Sequence, residues 1–166
     1  MIIIVTGVSG SGKSTIGAML AGRLGWEYAE ADDFHSRANL EKMHAGHPLT
    51  DEDRWPWLKK IAAWIDEHHD RNAVVTCSAL KRSYRDLLRR PETRLVYLDG
   101  SQELITQRLV ARHGHFFPTA LVESQFRDLE PPEPDEHALY VPIDEPATET
   151  VKKIIKGLGL SPRGLD

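Results

Sequence analysis

The 166-residue sequence predicts an α/β fold, a five-stranded parallel sheet with helices on both faces. Two patterns carry that expectation. Short apolar runs alternate with stretches of helical period along the whole chain, and a glycine-rich signature follows directly on the first run. The runs lie at residues 2–5, 73–77, 94–98 and 137–141, with a weaker one at 27–31. Helical patterns occupy 13–24, 36–44, 53–69, 81–89, 102–112, 119–127 and 146–156. In the first helix Ile16, Leu20 and Leu24 share a face; in the third, Trp57, Ile61, Trp64 and Ile65 form a core stripe. Gly46 and Pro48 stop the second helix, and Thr50 or Asp51 caps the third. No repeat or linker divides the chain, so residues 1–166 read as a single domain, with a loose Gly/Pro-bearing tail over 157–166.

Composition narrows the class. A formal net charge of −4 and a pI of about 6.1 disfavour nucleic acid as the main partner. Cys77 is the only cysteine, which excludes a disulfide framework and a cysteine zinc site; it reads as a small buried hydrophobe. The apolar start is short and runs straight into the glycine-rich turn, so it reads as a core strand and not a signal peptide. No stretch approaches the ~20 apolar residues of a membrane span. The expectation is a soluble cytoplasmic enzyme in a reducing compartment.

Gly7, Val8, Ser9, Gly10, Ser11, Gly12, Lys13 and Ser14 form a complete G-x-x-x-x-G-K-[ST] phosphate loop, with Thr15 next in line. The N–H groups of such a loop, with the positive end of the following helix dipole, make a concave anion site. Lys13 is placed to reach the β- and γ-phosphates, and the Ser14 hydroxyl to ligate Mg²⁺. In open parallel sheets ligands bind beyond the carboxyl ends of the strands, and the other candidates follow strand ends or lie in segments able to fold over that edge.

After the weak second strand come Glu30, Asp32 and Asp33. Residues i and i+2 of a strand share a side, so Glu30 and Asp32 are expected to face the loop together. Asp32 is the candidate base, Glu30 the metal-side acid, acting directly or through water, and Asp33 a bystander. Arg54 sits where the third helix begins, and its fork suits a carboxylate; a solvated salt bridge accounts for it equally well. Lys81, Arg82 and Arg85 follow the third strand and offer cations to an anionic substrate, Lys81 first among them. Arg108 and Arg112 lie one turn apart before a Gly/Pro-bearing segment. They read either as solvated surface cations or as lid residues that close a cation over the transferred group. His44 and His47 have metal-like spacing, but they straddle a helix end without a third ligand, so they read as structural or surface groups.

Taken in order, these blocks resemble the phosphate-loop gluconokinases of the thermoresistant type, and more distantly the shikimate and nucleoside monophosphate kinases. The resemblance spans residues 2 to about 158. Besides the phosphate loop it rests on Asp32-x-x-His35, on Asn39-x-x-Lys42-Met43-x-x-Gly46-x-Pro48-Leu49-x-Asp51-x-Asp53-Arg54-x-Pro56-Trp57-Leu58, and on Cys77-Ser78-Ala79-Leu80-Lys81-x-x-Tyr84-Arg85-Asp86. Further on it rests on Arg112-x-Gly114-His115-Phe116 and on Ser124-Gln125-Phe126-x-x-Leu129-Glu130-x-Pro132. The family usually has Gly at Ala31, Pro at Ser36 and Met at Phe117.

The resemblance implies the P-loop NTPase fold with strand order 2-3-1-4-5, a lid over about 113–126, and often a homodimer. It implies ATP-dependent phosphorylation of D-gluconate on its terminal hydroxyl, giving 6-phosphogluconate for gluconate catabolism, with Mg²⁺ as cofactor. Lys13, Asp32 and Arg112 would be catalytic, with Arg108 also near ATP and Arg112 touching adenine or phosphate. Asp32, Arg54 and Lys81 would bind the substrate, joined by His35, His115 and Gln125. Kinase activity on shikimate or a nucleoside monophosphate is a second reading, although no clear base-stacking pair marks the acceptor segment. A GTPase-type switch would carry an Asn-Lys-x-Asp motif, which is missing from the sequence.

Overall fold

A computed structural model describes residues 1–114 and 119–162. Strand β1 (Ile2–Thr6) leads into helix α1 (Lys13–Leu24), then β2 (Glu27–Glu30), a 3-10 turn (Ala31–Phe34), α2 (Arg37–His44), α3 (Asp51–Glu67) and β3 (Ala73–Cys77). There follow α4 (Arg82–Leu88), β4 (Thr93–Asp99), α5 (Gln102–His113), α6 (Thr119–Asp128), a second 3-10 turn (Pro134–Glu136), β5 (Leu139–Pro142) and α7 (Ala147–Gly157). The five strands are all parallel, in the order β2-β3-β1-β4-β5, as the sequence resemblance implied. Among the described residues no helix is long and apolar enough to cross a membrane.

β1 is the central strand and is buried along its whole length, which explains its unbroken Ile and Val composition. Its side chains divide by parity. Ile3 and Val5 pack with Leu20, Val74, Val96, Ile105, Val151 and Ile154 on one face. Ile2 and Ile4 pack with Trp57, Leu58, Ile61, Ile65, Val75 and Tyr84 on the other. The chain leaves β1 and crosses to β2 on one side, while β4 lies on the other. The carboxyl end of β1 is therefore a topological switch point, where a crevice opens above the sheet.

Local chemistry sets the helix ends around that crevice. Thr50, one of the two expected caps, caps α3 in a reciprocal capping box with Asp53. Ser36 accepts from the Asn39 N–H at 3.1 Å and caps α2, a hydrogen bond that the proline usual in the family has no hydroxyl to make. Two of the boundary differences touch the site and the tail. The second strand stops at Glu30, because Ala31 already opens the 3-10 turn. The tail expected to be loose from Gly157 is held as far as Leu160, whose N–H donates to the Ile155 carbonyl at 3.0 Å; Leu158 and Leu160 also pack on the core.

Gly17 brings α1 close to the sheet. A Cβ there would stand 2.5 Å from Thr76 Cγ2 and 3.0 Å from the Tyr28 ring. Alanine is the better helix former, by about 1 kcal/mol. The overlap with a β-branched side chain on a central strand outweighs that gain. Gly17→Ala is therefore expected to lower stability by about 1–3 kcal/mol, read as a fall in the denaturation midpoint. A rise in the midpoint would show that α1 can shift freely.

Candidate active site

The phosphate loop begins where β1 ends. Gly10 (φ 83°) and Gly12 (φ 91°) take left-handed conformations that turn the chain from strand to helix, which is why glycine stands at both. The Lys13 ammonium folds back over the loop and donates to the Val8 carbonyl at 2.9 Å. Burial pulls it below the usual lysine range, and the carboxylates of Asp32 and Glu30 oppose that pull. Inside the loop the Ser11 hydroxyl is buried with no hydrogen-bond partner among the described residues. An anion seated on the loop would relieve both strains, supplying charge to Lys13 and an acceptor to Ser11.

Glu30 stands at the foot of α1. Hydrogen bonds from Ser14 and Tyr28 hold its carboxyl below the ordinary range, the Tyr28 hydroxyl approaching to 2.8 Å. Glu30 and Asp32 do not share the side of a strand, as sequence spacing implied. Asp32 reaches the site from the 3-10 turn instead, and Asp33 is exposed beside it. Among the described residues no cluster of three metal-ligating side chains exists. Ser14 and Glu30 thus fit a Mg²⁺ ion only if phosphate and water supply most of its oxygens, which is how Mg²⁺ is usually held.

A cavity of about 310 Å³ opens from the loop. Ser9 of the loop, Asp32 and His35 after β2, and Ser78 after β3 line it, with Arg54 and Trp57 from α3. Ser124 and Gln125 of α6 close another side. His35 stacks on Trp57, ring centroids 4.2 Å apart. The Asn39 amide nitrogen donates to the Asp53 carbonyl at 2.9 Å, which fixes the amide's orientation, and the same nitrogen lies 3.3 Å from His35 Nδ1. His35 Nδ1 is then the acceptor, so the neutral ring carries its proton on Nε2. Burial pushes His35 below its usual pKa; Asp32 opposes that push and Arg54 adds to it.

Arg54 is buried and donates to the Tyr84 hydroxyl and to Asp128 Oδ2, both at 3.0 Å. Burial works against its charge, yet these partners leave the guanidinium above its ordinary range. Tyr84 in turn donates to Asp51, which also holds the Lys81 ammonium at 3.0 Å. The network ties α3, α4 and α6 together behind the cavity.

Several expected residues lie elsewhere. Lys81 does not line the cavity, because Asp51 holds its ammonium. Arg82 forms a bidentate pair with Asp135, and Arg85 is buried against Glu136 at 2.6 Å, so neither cation offers itself to a substrate. Arg85, Asp135 and Glu136 of these pairs border a second cavity of about 290 Å³, whose lining includes no residue of the phosphate loop. Arg108 donates to the Ile143 carbonyl and Arg112 is exposed in the last turn of α5; neither lines the site cavity. Gln125, expected beside the substrate, does line the cavity and also contacts Ser9 of the loop. His115 lies outside the described residues, as does part of the expected lid. His47, read from the sequence as structural or surface, lines the cavity, as does Trp57, read as pure core. The dense Asp53-Arg54-x-Pro56-Trp57-Leu58 block was the signal that could have marked Trp57.

A phosphate loop at the switch point of a parallel sheet, opening into a cavity with a carboxylate and a buried arginine, defines a small-molecule kinase. The model of the shikimate kinase family matches residues 9–152. The gluconokinase of Gluconobacter oxydans (strain 621H) is 43% identical over 158 residues, spanning 93% of this chain and 89% of that protein. The thermoresistant gluconokinase of Escherichia coli (strain K12) is 42% identical and covers 94% of each. The crystal structure of a gluconokinase from Sinorhizobium meliloti 1021 matches with a TM-score of 0.88 and 42% identity, over 95% of this chain and 90% of that one. The chain belongs to the shikimate kinase family, in the group whose curated members are named gluconokinases.

The His35 environment has a consequence for stability. Its folded pKa lies below the ordinary 6.5, so as pH falls the unfolded chain takes up the proton first. Its contribution is full above about pH 6.5 and shrinks as pH drops below that value, until the folded ring also titrates. Urea unfolding at about pH 7.5 and about pH 5.5 should show a larger acid loss in wild type than in His35→Gln. Equal losses would mean that the ring is not held neutral.

Proposed function

We propose that the protein transfers the γ-phosphoryl group of ATP to the terminal hydroxyl of D-gluconate, giving 6-phosphogluconate and ADP. One observation carries the reading: a single cavity is bounded by the phosphate loop at Ser9, by the Asp32 carboxylate and by the buried Arg54. A phosphate loop, a carboxylate and a buried cation share that space, in a chain akin to proteins named gluconokinase, which supports the reading.

The loop N–H groups and Lys13 hold the phosphates of ATP. Ser14, with Glu30 behind it, would hold Mg²⁺, which would supply positive charge against the charge that develops on the phosphates. Asp32 orients the 6-hydroxyl. The hydroxyl oxygen bonds to the γ-phosphorus as the bond to ADP breaks, and the proton passes to Asp32. The transition state is loose, so position matters more than the basicity of Asp32. Arg54 keeps guanidinium donors beyond its Nη1 bonds for the gluconate carboxylate, and the His35 Nε2–H donates to a substrate hydroxyl. Lys81 acts at one remove, holding the Asp51–Tyr84 pair that fixes Arg54. Arg112 approaches ATP from the end of α5.

The family match makes shikimate the second acceptor to test. With ATP, Mg²⁺ and a panel of sugar acids and shikimate, ADP should form fastest with gluconate. Turnover no faster than the acceptor-free ATPase rate would sink the proposal. Asp32→Asn should lower kcat by about 10²–10⁴-fold while ATP binding changes little. A loss of about tenfold or less would remove the base role from Asp32.

A further inference from the structure

Gln125 of α6 uses both ends of its amide on one residue of the phosphate loop. Its Oε1 accepts from the Ser9 N–H at 2.6 Å, and its Nε2 donates to Ser9 Oγ at 2.7 Å. Ser9 is the loop residue that also lines the cavity containing Asp32 and His35. Ser9 therefore belongs at once to the phosphate loop and to the wall of the cavity. That N–H is already taken by a neutral amide oxygen.

We propose that Gln125 is a specificity-determining residue for the phosphoryl donor: it caps the Ser9 N–H in the nucleotide-free site, is displaced by the terminal phosphoryl of a nucleoside triphosphate, and stays in place over a diphosphate. The proposal rests on the reading of the loop as an ATP site, and not on gluconate as acceptor. One N–H has room for one linear acceptor. A charged phosphoryl oxygen is a stronger acceptor than an amide carbonyl, so the triphosphate wins the exchange. Winning still costs the two Gln125 bonds, and the apparent affinity for triphosphate falls by the fraction of molecules that are capped. A diphosphate ends short of Ser9 and breaks neither bond. Gln125 thus narrows the gap between ATP and ADP affinity. On triphosphate binding its freed amide faces the cavity where the acceptor sits.

The helix does not depend on this contact. Asp128 pairs with Arg54, and just beyond the helix the Glu130 N–H donates to the Leu80 carbonyl at 2.8 Å, while Val122 and Ser124 are buried. Truncating Gln125 should therefore leave α6 docked, which a fall in the free protein's thermal midpoint of no more than about 2–4 °C, the loss expected for the two hydrogen bonds alone, would verify.

Calorimetric titration of wild type, Gln125→Ala and Gln125→Glu with ADP and with a non-hydrolysable ATP analogue, both with Mg²⁺, tests the proposal. Gln125→Ala should bind the triphosphate analogue about tenfold more tightly, with ADP affinity unchanged, since two net hydrogen bonds no longer compete. Gln125→Glu keeps an acceptor for Ser9 and sets a carboxylate against the phosphoryl, so it should weaken the analogue more than ADP. An unchanged analogue-to-ADP ratio in Gln125→Ala overturns the proposal, and so does weaker analogue binding, which would make Gln125 a phosphate ligand. If Gln125→Ala does not fold, the ratio measured for Gln125→Glu decides in the same way. Failure of both nucleotides to bind wild type overturns the ATP reading as well, whereas nucleotide binding without gluconate turnover removes only the acceptor.

Discussion

The burial of β1 between β3 and β4 is the constraint from which the site follows. All five of its residues are buried, so the strand must be apolar throughout, and its backbone groups are consumed by neighbours on both sides. Where it ends, the chain has to turn sharply enough to lay α1 back on the sheet. The left-handed glycines at 10 and 12 make that turn, and Gly17 lets the helix approach Thr76 and Tyr28. The loop N–H groups between strand and helix belong to neither ladder, and the α1 dipole points at them. An anion site is the direct product of this geometry.

Around it the molecule solves a charge problem. A chain with a net charge of −4 has to present cations to a polyanion. It does so by burying them in paired form, because a lone buried charge is costly. Arg54 is held between Tyr84 and Asp128, and Asp51 joins Tyr84 to Lys81. Arg85 is locked to Glu136 away from the cavity. Such pairing spends most positive charges near the sheet edge on structure and leaves a small number able to meet a ligand. The same network couples α3, α4 and α6 on the side of the cavity that Arg54 lines.

Most of the architecture was legible in the residues. Among the described residues, periodicity located the seven helices by their apolar stripes and the five strands by short, mostly apolar runs. The errors fell where a local rule met a tertiary contact. Alternation placed Glu30 and Asp32 on one side, but the chain leaves the sheet after Glu30 and delivers Asp32 by a 3-10 turn. Lys81 looked available for substrate because its carboxylate partner, Asp51, lies 30 residues earlier and no spacing rule connects them. Trp57 reads as core and His47 as structural or surface, yet both border the cavity; the stripe that holds Trp57 does not say where a core ends and a pocket begins.

The sequence by itself determined the fold class, the phosphate loop and the identity of the chemical groups, because these depend on short-range pattern and on residue type. Which charges are free and which are committed was decided only by the tertiary structure. Arg54 with Asp128, Arg85 with Glu136 and Gln125 with Ser9 pair across 74, 51 and 116 positions. Such partners are chosen by how helices pack over the sheet, and packing is set by volume and shape summed over the whole core, which no local spacing encodes.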